Sequence, residues 1–449
     1  MAASQETAVA TALDVIEKKL NLPLTTYLEA CTHCGLCADA CHLYRADPVA
    51  RHMPVFKADT VRKVYQRYFT PLGRLFPWLF GTRDLTEKDL DGWVETVFQC
   101  TLCRRCSIEC PVGIDNASLI ATARQILTRT GKAPPTLAEH ARLSCEVGSP
   151  LGLTREDFLE RIRWIEDELR EELEDEAFAV PLDLVGADLL FIPASIELMK
   201  YPRTVQSCLR ILRAAGVRWT MSSVCYDVTN FGVFLGDPEI GKKIARRDIE
   251  EAERLRVKTL VTSECGHAYR ALRWEAPDWF GKPLPFEVKN IVELADEWVR
   301  DGRLKLDPCA NAQPVTYHDP CNITRNGGVI EEPRRLLAAA VRQFREMTPN
   351  RERNWCCGGG GGLHSMPEYK DVRLQSGLMK ADQIKATGAA VVATACANCQ
   401  LQLGELSEHY GLGVRCVSVT DLVAEALVGR GKAIGGTTAA RPGEAGRID

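Results

Sequence analysis

A chain of 449 residues with a formal net charge of −4 lacks the basic stripe that a nucleic-acid footprint requires. With 45% hydrophobic residues it can fill about three compact domains of roughly 100–200 residues each. No run reaches the roughly 18–20 apolar residues of a membrane span, and "MAASQETAVATALDVIEKKL" has no charged stretch leading into an apolar one, so a cytoplasmic chain is expected. In a reducing compartment its nineteen cysteines read as metal ligands or redox groups rather than a disulfide framework.

Residues 5–20 have the pattern of an amphipathic helix, the body of an N-terminal segment 1–22. A helical domain over 23–150 is expected next, because it carries two compact cysteine motifs. "CTHCGLCADAC" supplies Cys31, Cys34, Cys37 and Cys41; "CTLCRRCSIECP" supplies Cys100, Cys103, Cys106 and Cys110. Both follow C-x2-C-x2-C-x3-C, the bacterial ferredoxin run, in which the fourth cysteine ligates the other cluster. One cubane 4Fe-4S cluster is therefore expected on Cys31, Cys34, Cys37 and Cys110, and a second on Cys100, Cys103, Cys106 and Cys41. Structural zinc prefers two separated pairs, so these runs make poor zinc sites. His42 stands where proline is common. The 58 residues between Cys41 and Cys100 exceed a small ferredoxin's linker and favour a helical ferredoxin domain.

Between the motifs lies "FTPLGRLFPWLFG" (69–81), apolar but broken by Pro and Arg. Packing on its own domain is the plain expectation; a docking surface for an integral membrane subunit is the sharper one. Residues 116–131 read as a helix with Asn116 near its start and Gly131 at its stop. An acidic helix (154–176) forms a solvated linker over 151–182.

From about 183 strands alternate with helices, which implies parallel sheet. "ADLLFIPA" and "KTLVTSEC" are strands of a first unit, 183–308. "PVTYHDPC" and "AAVVATAC" are strands of a second, 309–430, and "EEPRRLLAAAVRQF" is a helix. The units read as an internal repeat: Cys225 to Cys265 and Cys356 to Cys396 are both 40 positions. The tail 431–449 is expected to be disordered. The fold class is thus α plus α/β, a helical two-cluster ferredoxin domain followed by a duplicated α/β unit.

The second unit holds Cys321, Cys356, Cys357, Cys396 and Cys399, as C-x34-CC-x38-C-x-x-C. "HDPC", "WCCGGGGG" and "TACANC" resemble, in order, the segments of the cysteine-rich CCG domain of heterodisulfide reductase and its relatives. The resemblance implies that these five cysteines hold a non-cubane 4Fe-4S cluster with one bridging thiolate. Gly358, Gly359 and Gly360 then let bare backbone approach the cluster and aim N–H groups at sulfur. Leu363 takes the last glycine of a G-x-G-x-x-G pattern, so a dinucleotide loop is not indicated. In the first unit Ala194, Tyr226 and Ala268 stand where Cys321, Cys357 and Cys399 would be, leaving Cys225, Cys265 and a nearby His267. Cys145, Cys208, Cys309 and Cys416 read as small buried hydrophobes.

Ferredoxin domain and CCG-type units in one chain are similar to the HdrD, DsrK, HmcF and TmcB group, nearest its DsrK-like members. That resemblance implies a cytoplasmic subunit held at the membrane by a cytochrome b-type, quinone-reactive partner, beside other redox subunits. It also implies a sulfur-carrier protein or small disulfide as substrate at the five-cysteine site. His267, His318 and His364 are candidate proton donors because histidine titrates near neutral pH. The alternative is an electron-relay subunit of a flavin-dependent glycolate or glycerol-3-phosphate type dehydrogenase.

Overall fold

The computed structural model describes residues 2–429; the tail expected to be disordered lies outside them. Among the described residues, no strand precedes Leu189. The ferredoxin region is built from helices, chiefly Ala2–Lys19, Pro54–Phe69, Glu87–Phe98 and Asn116–Arg129. Local chemistry sets their ends. Pro54 opens the second, where a missing N–H costs nothing. Thr86 and Asp89 form a capping box on the third. Asp115 rather than Asn116 caps the fourth, and Gly131 follows its end in the left-handed region at φ +72°. Ile16, Leu28, Ala58, Val61, Leu90, Phe98 and Ile120 share one core. The N-terminal helix therefore belongs to this domain rather than standing apart.

The acidic helix, Arg155–Leu173, is not simply solvated. Phe158, Ile162, Ile165 and Leu169 form a stripe that is buried in the core of the α/β region, as apolar side chains one turn apart on one face must be. The apolar stretch 69–81 also departs from the plain expectation. It forms a short helix Pro71–Leu75, capped by Thr70, and a 3-10 turn Pro77–Phe80. Leu72, Leu75, Phe76 and Leu79 are exposed, and Trp78 is 74% exposed.

Two four-stranded parallel sheets follow. The first contains β1 (Leu189–Ile192), β2 (Trp219–Thr220), β3 (Thr259–Thr262) and β4 (Glu287–Asn290). The second contains β5 (Val315–His318), β6 (Phe344–Arg345), β7 (Val391–Thr394) and β8 (Arg415–Ser418). Their orders are β2-β1-β3-β4 and β6-β5-β7-β8, the same winding. The central strands are buried end to end, as covering helices require. Phe191 and Val261 of one sheet share a core with Tyr317 and Ala393 of the other. The helix expected over 331–344 is shorter, Glu332–Ala340; Val341 is extended, and Phe344 and Arg345 pair with Val315 and Thr316 instead.

Candidate metal centres

Each ferredoxin motif closes around its sulfurs through two residues in the left-handed region: His33 and Gly35 in the first, Leu102 and Arg104 in the second. A four-residue helix follows in each, Leu36–Asp39 and Arg105–Ile108. Cys31, Cys34, Cys37 and Cys110 line one cavity with Val55 and Val112. Cys41, Cys100, Cys103 and Cys106 line another with His42 and Lys57. The fourth cysteine of each motif thus faces the other motif's set. Cys37 and Cys106 meet in one small apolar cluster between the cavities. Burial pushes the Cys37 thiol up to about 11 and that of Cys106 well above its ordinary value, so loading thiolate ligands must release protons. Lys57 is fully buried against the second set, its ammonium donating to the Thr96 carbonyl at 2.6 Å.

In the second α/β unit, strand ends deliver the sulfurs. Cys321 follows β5. Cys396 follows β7 as the N-cap of helix Ala397–His409, and Cys399 sits in its first turn. Cys356 and Cys357 arrive on the loop that runs into the glycines. All five are buried. Cys357 Sγ and Cys399 Sγ are 3.5 Å apart, and the Gly358 amide donates to Cys356 Sγ at 3.4 Å. Hydrogen bonds from the thiols of Cys103, Cys321 and Cys357 hold Cys356 well below the usual thiol range. The Cys399 thiol, opposed by burial and helped by amides at the helix N-terminus, brings Cys396 to about 7. These are the sulfurs most ready to ligate a metal.

The two regions meet here. Cys103 of the ferredoxin motif joins the apolar cluster that contains the five cysteines. His42 bridges the same junction: its Nδ1 donates to the Ser376 carbonyl at 2.9 Å, and Nε2 lies 3.0 Å from Thr101 Oγ1. A ring nitrogen of His42 and the sulfurs of Cys103 and Cys356 lie within 4.8 Å of one another. Arg325 clamps the seam, donating to the carbonyls of Cys103 and Asn354 at 2.7 Å each. Arg105 stacks 3.6 Å over the Trp355 ring.

The glycine run makes this seam possible. An added Cβ at Gly361, φ +67°, would meet the Cys100 carbonyl at 2.5 Å and Thr101 Cα at 2.9 Å. At Gly360 the Thr101 carbonyl would lie 3.1 Å away, and at Gly359 the ring of His364 would lie 2.7 Å away. The loop therefore lies directly on the ferredoxin backbone. Fully buried Arg124 ties it down, donating to Gly361 O at 2.8 Å, Phe234 O at 2.7 Å and Cys100 O at 2.5 Å.

Residues 315–404 match the cysteine-rich CCG domain family, and residues 27–114 match the 4Fe-4S dicluster domain family. The "Hdr-like menaquinol oxidoreductase iron-sulfur subunit 2" of Archaeoglobus fulgidus is 28% identical, over 92% of this chain and 82% of its own. A dihydromethanophenazine:CoB--CoM heterodisulfide reductase subunit of Methanosarcina acetivorans is 26% identical, over 91% of this chain and 96% of its own. The "EtfAB:quinone oxidoreductase" of Syntrophomonas wolfei is 25% identical, over 84% of this chain and 55% of its own. This chain is one of the heterodisulfide reductase-related CCG proteins. It is an iron–sulfur oxidoreductase subunit.

Within this CCG protein the three candidate histidines separate. His318, at the end of β5, is buried with neither ring nitrogen hydrogen-bonded, and one of them lies within 4.8 Å of the sulfurs of Cys357 and Cys399. His364 rests against Gly359 and, 3.5 Å away, Arg373; His267 lies 3.7 Å from Cys265 Sγ and packs on Phe234. The expectation that all three titrate near neutral pH fails. Burial depresses His267 and His364 to about 3 and His318 well below its ordinary value, so each is a neutral imidazole at pH 7.

In the first unit, counting from the strand ends puts Ser195 rather than Ala194 opposite Cys321. Cys225 donates to Asp248 at 3.0 Å. Among the described residues, neither group of three or more potential ligand atoms includes Cys225 or Cys265. Cys208 is buried as expected, but Cys309 is exposed and Cys145 and Cys416 are half-buried.

Sequence reading missed Lys380. Its ammonium is fully buried, donates to Gln383 at 2.6 Å and lies 3.5 Å from Met347 Sδ. Burial lowers it to about 8, while charge on Asp319, Cys357 and Cys356 pushes the other way. Nothing in "LMKADQIKAT" signals that role; only the fold turns this face of the helix toward the sulfurs.

Proposed function

We propose that this chain is the electron-transfer and disulfide-reductase subunit of a membrane-associated redox complex. On this reading it passes electrons between a quinone-linked, cytochrome b-type partner and a thiol/disulfide or trisulfide substrate. The residues fit three groups. Two cavities carry four cysteines each, which suits two cubane 4Fe-4S clusters. The buried set of Cys321, Cys356, Cys357, Cys396 and Cys399 has one sulfur more than a cubane needs, which suits a non-cubane 4Fe-4S cluster. When bound, such groups supply electrons one at a time, and the five-cysteine site an iron open to a sulfur ligand.

The observation that carries the reading is the continuity of the three sulfur sets: Cys37 meets Cys106, and Cys103 meets Cys356. Around the last set, the side chains suit a reaction that forms thiolates. RSSR plus two electrons and two protons gives two RSH. Lys380 offsets negative charge there, the Gly358 amide points at Cys356 Sγ, and His318 keeps two unengaged ring nitrogens beside Cys357 and Cys399. The exposed segment of Leu72, Leu75, Phe76, Trp78 and Leu79 supports attachment to a membrane partner, since contiguous exposed apolar surface marks interaction sites. No helix among the described residues is long and apolar enough to cross a membrane. The shared strand order of the two sheets supports a duplicated CCG-type unit whose first copy lacks a metal set.

The test is anaerobic purification and paramagnetic resonance. About twelve irons are expected, four per cluster. Adding a disulfide substrate should change the signal of the five-cysteine site alone. Cys357→Ser should abolish that response and viologen-driven disulfide reduction while keeping about eight irons. Activity only with a flavoprotein and quinone, and no sulfur-induced signal, would establish the relay reading instead, which the likeness to the EtfAB:quinone oxidoreductase supports.

A further inference from the structure

The two ferredoxin motifs are built alike, and their surroundings are not. Position for position, Cys34 answers Cys103, His33 (φ 54°) answers Leu102 (φ 53°), Gly35 (φ 83°) answers Arg104 (φ 61°), and Leu36–Asp39 answers Arg105–Ile108. On the second motif this face is an internal junction. Cys103 lies against Cys356, its carbonyl accepts from Arg325, and Arg105 stacks on Trp355. On the first motif no described residue covers the corresponding face in this way. Cys34 is exposed, and none of the other twelve cysteines in the three sets is. Around it apolar side chains are exposed, Leu36, in Arg105's place, to 50%, Ile108 to 42% and Val112 to 46%, beside the exposed His33 that pairs with Asp59 at 3.1 Å. Val112 and Gly35 line the cavity itself, and the Leu36 and Ile108 helices touch.

We propose that this apolar rim around Cys34 is the docking face for a redox protein that carries one electron at a time near its own surface. The inner junction supplies the pattern: a CxxC turn presents its second cysteine, Cys103, to the five-cysteine set inside a buried apolar cluster. Electron transfer weakens steeply with distance, so an electron should pass where least protein intervenes, and Cys34 marks that place. Transfer leaves the partner oxidised by one electron and this chain reduced by one, or the reverse, with no bond made or broken. The proposal rests on the two four-cysteine sets holding clusters. Val55, which lines the Cys34 cavity, and Phe69, which leads into the apolar segment 71–80, lie at opposite ends of helix Pro54–Phe69, so this face is a second one, for a redox partner beside the membrane-held cytochrome.

The test uses the iron-loaded full chain and two electron donors. Reduced methyl viologen is small and needs no docking face. A reduced two-cluster ferredoxin must dock. In Leu36→Asp and Ile108→Asp, stopped-flow reduction by the ferredoxin should slow about tenfold or more, as for a charge placed in an interface centre. Reduction by viologen should change less than twofold, and Val185→Asp, at an exposed apolar residue of the first α/β unit, should change neither. A water-soluble dysprosium chelate should enhance relaxation of one cluster signal, the one that Cys110→Ser alters. Equal enhancement of all signals, no electron uptake from the ferredoxin by the unmodified chain, or a ferredoxin rate indifferent to both rim variants would each overturn the proposal. So would a dimer that Leu36→Asp splits without changing that rate, which would make the face a contact between copies. Iron well below eight would instead count against the clusters themselves.

Discussion

Gly361→Ala should loosen the junction between the ferredoxin and CCG regions, and its cost can be worked from two separate terms. The residue sits at φ +67°, where an L-residue is about 1–2 kcal/mol worse than glycine. Its new methyl would lie 2.5 Å from the Cys100 carbonyl and 2.9 Å from Thr101 Cα. Both are backbone atoms that cannot rotate away, and overpacking of that kind costs about 1–3 kcal/mol. Gly131→Ala is the matched control, with φ +72° and nothing within 4 Å of the added Cβ; it should cost the first term alone. Anaerobic unfolding of iron-loaded protein should therefore show Gly361→Ala less stable than Gly131→Ala by about 1–3 kcal/mol. The displaced loop should also weaken magnetic coupling between the second ferredoxin cluster and the CCG centre. Equal stability of the two variants would refute the close approach from which the role of the glycines is argued.

Cys41→Ser should alter the resonance signal of the cluster on Cys100, Cys103 and Cys106 and leave the Cys31, Cys34, Cys37 signal intact; the opposite result would show that each motif closes on itself. Asp248→Asn should stabilise the fold, and more so at high pH. Burial pushes the Asp248 carboxyl from 3.8 to about 7, so the folded state holds a proton that the unfolded chain has released. Stability from this group is full below pH ~4 and is lost as pH rises through about 7. At about 1.4 kcal/mol per pH unit the effect is capped near 4 kcal/mol, and the melting-temperature gain should be clearly larger at pH 8 than at pH 5. A gain independent of pH would mean that the carboxyl is ionised in the fold.

What is legible in the sequence is whatever local spacing fixes. Four cysteines at C-x2-C-x2-C-x3-C admit few backbone paths, and the exchange of Cys41 and Cys110 between cavities follows from the motif. Alternating strands and helices imply parallel sheet because period and length decide it. The rest depends on what tertiary structure brings together. The glycines read as room for a cluster, yet the nearest atoms to Gly360 and Gly361 belong to Cys100 and Thr101. His42 looks like a lost proline and is a buried bridge between Thr101 and Ser376. The three histidines carry an ordinary pKa on paper, and burial removes it. Lys380 and Arg124 have no motif at all, since a buried cation is recognisable only by the carbonyls and sulfurs gathered around it. The stretch 69–81 shows the same limit: composition marks it apolar but cannot say which side of it the domain covers.

The first α/β unit makes the same point about function. Read as a degraded copy, it has no metal set and looks dispensable. In the fold it supports the set beside it. The Glu264 carbonyl accepts from the Ala397 amide at 3.1 Å, directly after Cys396. The Glu264 carboxylate accepts from Ser418 Oγ at 2.6 Å and from the Thr420 amide at 2.9 Å, where β8 turns into helix Val419–Glu425. An added Cβ at Gly266 would press to 3.0 Å on Asn322 and 3.1 Å on Ile323, the residues that follow Cys321. The strand end that would carry a second set of ligands is thus occupied in holding Cys321 and Cys396 in place. An unpaired glutamate so deep would be costly; burial pushes this carboxyl well above its ordinary value, while the hydrogen bonds from Ser418 and the Thr420 amide pull it down. On the proposed reading, one unit commits its sulfurs to chemistry while the other supplies the backbone that holds them.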